Sequence, residues 1–349
     1  MPARVDAIQF HISNVTPTLR LRVNALQVVA QPEWTAGQAG NGVAAYVVDK
    51  VPKSDPKMRV TFRRLAASNL VNVTVRTDLG GVLAFLAPAQ QINFGASQTA
   101  QVDFALDPAR FQSVTHHVDR LHFDFTAGGV AATEFSDHDI FVVLAKPGQP
   151  WGQAAGNNSK WPWVEVLRQA CVWADGAANR FDAQKSIAKQ YFASGNAKLT
   201  WDPVSGFVKS TATGQAFRCT LFLDVLNDPQ GEARANCLDS ATVVSTFANS
   251  LGCDLKQREL NARQGTIDTN DLILHGSGGP AVKSFVLHEI ALGAGSHVWD
   301  GLLQLDTDPG LPVQFEVPAN MALQAQYRPA FARNPIVLRS PASGNRPVL

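Results

Sequence analysis

Residues 1–146 repeat one pattern that the rest of the chain lacks: apolar and polar side chains alternate with a period of two. "VNVTV" puts Val71, Val73 and Val75 on one face, and "RLHFDF" does the same with Leu121, Phe123 and Phe125. "QVDFAL" aligns Val102, Phe104 and Leu106, and "LRLRV" sets Leu19, Leu21 and Val23 against Arg20 and Arg22. Successive side chains of a strand point to opposite faces, so this alternation is what a sheet with one dry and one wet face demands. Further apolar runs ("VAAYVV", "VLAFLA", "DIFVVLA") fill the intervals, and helical spacing is almost missing. The pattern predicts an all-β domain over 1–146, a β-sandwich.

Beyond it the period changes. Residues 147–161 are rich in Pro, Gly and Asn and read as a linker. Pro162 suits a first helical position, and Val164, Leu167, Ala170, Cys171 and Ala174 recur at helical spacing. A second helix is predicted over 180–193, with Ile187, Ala188, Tyr191 and Phe192 inward, followed by a hairpin in "LTWDPVSGFV". Strand-like runs return in "DLILH", "SFVLHEIAL" and "HVWDGLLQLD". Residues 162–335 are therefore expected to form an α+β domain, helices first and then an antiparallel sheet, with 336–349 as a mobile tail.

Composition limits the function classes. Apolar residues make up 45% and charged residues 17%, which suits core formation. A formal net charge of +1 supplies no field for nucleic acid or an anionic membrane. No apolar run approaches the ~18 residues of a membrane helix. The first residues lack a secretory h-region, so the expectation is a cytoplasmic protein, or one exported without a cleavable signal peptide. Cys171, Cys219, Cys237 and Cys253 form no C-x-x-C pair, which argues for free thiols over a zinc site.

One of these thiols opens a helix. In "NCLDSATVVSTFANSLGC" the residues Leu238, Ala241, Val244, Ala248 and Leu251 form an apolar stripe, and Gly252 suits the position just past the helix end. Cys237 stands at the N-terminus, where open N–H groups and the helix dipole favour a thiolate. Asp239 opposes that unless it caps the helix. A nucleophilic cysteine needs a base, and the base needs an orienting group. Downstream, "GAGS" turns one strand-like run into the next. A three-residue loop over Ala294–Ser296 sets Ile290 opposite Asp300, which leaves His288 and Asp300 on one face as diagonal neighbours about 7–8 Å apart at the backbone. A loop of even length would separate them. His297 has the other parity. Asp306 lies six residues beyond Asp300, roughly 20 Å along a strand.

The order of Cys helix, His strand and Asp strand resembles the transglutaminase-like superfamily, whose fold is that of the papain-like cysteine proteases. The likeness lies in "NCLDSATVVSTFANSLGCDL", "FVLHEIAL" and "VWDGLLQLD", within residues 160–310. Glu289 and Ile290 stand where the family often has an aromatic residue. The resemblance implies Cys237 as nucleophile, His288 as base and Asp300 as orienter. It implies acyl transfer at an amide bond of a protein or peptide through a thioester, without a cofactor. Asn236 and Asp239 are candidate helpers beside the thiol, and Trp201 is a candidate wall of the site. Two other classes fit the same residues: an idle core serving as a binding or structural module, and an effector that deamidates or crosslinks Gln or Asn side chains.

Other clusters carry less. His116, His117, His122 and Asp124 lack metal-ligand spacing and read as a solvated strand face. The glycines of 276–279 lack the strand–helix frame and Lys of a phosphate cradle.

Overall fold

A computed structural model of the protein describes residues 1–13, 17–49, 55–78, 80–212, 214–307, 314–340 and 345–349. Strand accounts for 40% and helix for 21%, so the fold is mixed and strand-dominated. The chain divides into two compact units, Met1–Lys146 with Gln153–Val164, and Pro147–Gly152 with Glu165–Leu349. No helix among the described residues is long and apolar enough to cross a membrane.

Among the described residues the first unit holds two sheets. One orders Trp34–Thr35, Ala3–Gln9, Lys57–Arg64 and Thr99–Ala105. The other orders Gly42–Val47, Val130–Val143, Thr115–Ala127, Leu70–Thr77 and Ala89–Asn93. Neighbours are antiparallel except Gly42–Val47 with Val130–Val143. The alternating residues meet in one core. Val60, Phe62 and Phe104 from the first sheet and Val71, Val73, Val75, Leu121, Phe123 and Phe125 from the second are fully buried. Gly128 and Gly129, at φ 55° and 81°, close the long hairpin in a two-residue turn that needs both positive values. "LRLRV" keeps its alternation in part, with Leu19 and Leu21 buried, yet it forms isolated bridges and no ladder strand. Arg22 is buried as well, because the carbonyls of Asn24, Ala25 and Asn158 accept from its guanidinium.

Among the described residues the α-helices are α1 (Val164–Trp173), α2 (Arg180–Lys198), α3 (Cys219–Asn227), α4 (Cys237–Ser250) and α5 (Arg328–Phe331), which belong to the second unit except for Val164. An antiparallel sheet orders Ala319–Ala322, His297–Trp299, Leu287–Leu292, Lys256–Ala262 and Ile336–Arg339. Helix α4 packs on Leu287–Leu292 and Lys256–Ala262. It is buried on its polar face too, because partners await it. Ser245 Oγ donates to Ala241 O, Asn249 Nδ2 to Gln149 O and Leu255 O, and Gln257 Nε2 to Ser245 Oγ. Gly252, at φ 91°, ends the helix.

Four expectations need correction. The 147–161 segment is no free linker. Trp151 is buried and donates to Thr246 O in the second unit, while Gln153, Trp161 and Trp163 pack in the first, so its aromatic and amide side chains hold it. The tail is not free where it is described. Residues 341–344 lie outside the described residues, but Ile336–Arg339 extends the sheet and Arg346 is 2% exposed. "LTWDPVSGFV" is not one hairpin. Leu199–Trp201 pairs in parallel with Ala233–Ala235, and Val208–Thr211 pairs with Gly214–Phe217. The run "HVWDGLLQLD" breaks at 300–302. His297–Trp299 stays in the five-stranded sheet and Leu303–Asp306 joins Leu272–Leu274.

Candidate active site

The Cys237 helix starts in a complete capping box. Asn236 Oδ1 accepts from Leu238 N and Asp239 N at 2.9 and 3.2 Å, and Asp239 Oδ2 accepts from Asn236 N at 2.8 Å. Asp239 Oδ1 also accepts from Phe207 N and Val208 N at 2.8 and 2.7 Å. Burial pushes the Asp239 carboxyl up to about 6, against the three backbone N–H groups and the Arg346 charge that hold it down. Asp239 is thus a structural cap whose charge is directed into backbone donors. A Cβ on Gly206 would stand 1.8 Å from Asp239 Oδ2. Gly206→Ala is therefore expected to displace the cap and cost about 2–4 kcal/mol, read by urea unfolding. An unchanged midpoint would refute this role.

The loop over Ala294–Ser296 has the odd length. Ala291 pairs with Trp299 and Leu292 with Val298, and the same register carried one step further sets Ile290 beside Asp300. His288 Nε2 lies 2.7 Å from Asp300 Oδ2. The two side chains are 0% and 1% exposed. Asp300 Oδ1 accepts from Leu302 N at 3.0 Å, and Tyr327 Oη donates to Oδ2 at 2.6 Å. Burial lowers the tendency of His288 to hold a proton, but the Asp300 charge and hydrogen bond, with a further contribution from Cys237, outweigh it and push His288 up to about 10.

Cys237 is 6% exposed and close enough to act on the His288 charge. Its thiol is directed at Leu287 O, 3.9 Å away, and His288 Nδ1 makes no regular hydrogen bond. Of the first-turn N–H groups, Asn236 takes those of Leu238 and Asp239 and leaves that of Cys237 open. Trp201 pairs with Ala235 in the strand register that leads to Cys237 and packs against Phe285 at 5.9 Å between ring centroids. The structure so brings together Cys237, His288, Asp300 and Asn236, with Trp201 beside them.

Tyr327, Phe285 and Phe331 belong to the same setting and were not anticipated. Tyr327 ends the π-type turn Leu323–Tyr327 and Phe331 ends α5, four residues on, so both reach the same imidazole. The Phe331 ring lies 4.7 Å and the Phe285 ring 5.3 Å from that of His288. "LQAQYRPAF" has no spacing that marks it for a site; only tertiary packing does so. His297 is remote from this group, bonded through Nδ1 to Ala294 O.

The histidines of the first unit are engaged otherwise. His116 bonds Asp139 and stacks on Phe141, His117 bonds Asp119, and His122 bonds Asp78. Asp124 takes Arg76 and Thr133. Among the described residues no three His, Cys, Asp or Glu side chains converge as metal ligands would. No protein-family model matches the chain, and no curated protein matches it.

Proposed function

We propose that the protein is a transglutaminase-like cysteine hydrolase or acyltransferase: a β-sandwich followed by a papain-like core that acts on an amide bond of a protein or peptide. The observation that carries this reading is the 2.7 Å contact of His288 with Asp300, reached through a hairpin of the required register beside a cysteine on a capped helix start. Cys237 Sγ attacks the carbonyl carbon as its thiol proton passes to His288 Nδ1. The open Cys237 N–H stabilises the oxyanion. His288 then protonates the leaving amine as the C–N bond breaks, and a thioester remains. Water or a second amine attacks the thioester and returns the thiol. Asp300, shared with Tyr327, holds the imidazole in orientation. A turn of the Cys237 side chain from Leu287 O to Nδ1 completes the triad, in keeping with the looser hydrogen bonds of free enzymes.

A second reading rests on burial. His288 is fully buried and Cys237 nearly so, which suits an inactive core serving as a binding or structural module. The rate of Cys237 alkylation by iodoacetamide separates the two. For the enzyme, labelling is rapid near neutral pH and falls about 100-fold in His288→Ala, the usual scale for a positioned base. Labelling that is equally slow in both proteins, with the fold intact by circular dichroism, leaves the module.

A further inference from the structure

A separate cavity of about 380 Å³ opens at the other end of the His288 strand, within the size range of small-molecule sites. Its lining includes Arg180, Lys256, Arg258, Phe181, Trp299 and Asn320, and none of Cys237, His288 or Asp300. Asp254 is the one carboxylate in that lining. Among the described residues no carboxylate pairs with Arg180, Lys256 or Arg258; the Arg258 guanidinium reaches only Gln257 O. Three cations thus face the space against one anion.

Two features of the backbone and core point to a ligand. Asn320 is the extra residue of a bulge, skipped where Val298 pairs with Met321 and Trp299 with Ala319. It adopts φ 73°, which non-glycine residues rarely do, and bulges and such strain gather at functional sites. Trp299 is 2% exposed, yet its Nε1 has no hydrogen-bond partner. It lies under Gly293, where a Cβ would approach that nitrogen to 2.8 Å. Phe181, 41% exposed, packs edge-on to the indole at 5.6 Å and offers an apolar wall.

We propose that this cavity binds a small anion, phosphate or carboxylate, attached to an apolar or aromatic group. Arg180, Lys256 and Arg258 hold the anion by charge-assisted hydrogen bonds, and Phe181 with Trp299 takes the apolar part. The site is independent of the thiol chemistry. The test is calorimetric titration of the full chain with phenyl phosphate, benzoate and phenol at low salt. Saturable binding of phenyl phosphate or benzoate but not phenol is expected, and the tighter of the two names the anion. Binding should weaken about 10-fold or more in Lys256→Ala/Arg258→Ala, and separately in Arg180→Ala should the double variant not fold. No saturable binding of either anion, or affinities unchanged by the folded variants, overturns the proposal.

Discussion

Replacing Arg346 by alanine is expected to lower the unfolding free energy by about 3–5 kcal/mol at neutral pH, because it strands a buried carboxylate. Arg346 is 2% exposed and its Nη2 donates to Glu289 Oε2 at 2.7 Å, while Nη1 donates to Glu289 Oε1, Gln257 and Thr242. Burial raises the Glu289 carboxyl and the Arg346 charge and hydrogen bond hold it down. Without Arg346 it rises further, so acid, which neutralises it, restores part of the lost stability. The variant should therefore approach the parent as pH falls from 7.5 to 5 in urea unfolding. Arg346→Met/Glu289→Leu should recover most of the loss, since an apolar pair leaves no stranded charge. A single variant that loses less than about 1 kcal/mol sinks the argument. Glu289 thereby finds its reason: it pairs with Arg346, which also reaches Thr242 of α4.

Asp300→Asn should change the His288 titration most. In the parent the Asp300 charge and hydrogen bond push the imidazole up to about 10 against burial. In the variant burial acts without the carboxylate, and the expected value lies below the ordinary ~6.5. The sign for stability follows. A raised imidazole value adds stability that is whole below ~6.5 and is lost as pH rises toward about 10. The gap between parent and variant should then widen as pH falls from about 10 through neutrality down to the variant's own lower imidazole value, and narrow steadily into alkali. NMR of the imidazole resonances, with unfolding at several pH values, reads both effects. A His288 signal that titrates alike in the two proteins would falsify the pairing as the cause.

The sequence alone carried the coarse frame. Period-two alternation located the buried faces of Val71–Val73–Val75 and Leu121–Phe123–Phe125, since a pleated strand has only two faces to offer. The stripe and Gly252 located α4, while the capping box of Asn236 with Asp239 emerged only in the structure. Parity alone set His288 and Asp300 on one face once the loop had an odd length. Short apolar runs were less legible. Helix α3 passed unnoticed because nine residues as apolar as "CTLFLDVLN" suit a buried strand equally well.

Tertiary structure decided the rest. Arg346 lies 57 residues from Glu289 in sequence, and Tyr327 lies 39 from His288; no local period links such positions. Asp239 finds Phe207 and Val208 only when Gly206 lets that backbone approach. Local geometry governs which face a side chain takes, and that is written in neighbouring residues. Which charge meets which across the fold depends on how whole elements pack, and burial together with the cost of leaving buried polar groups unpaired decides it.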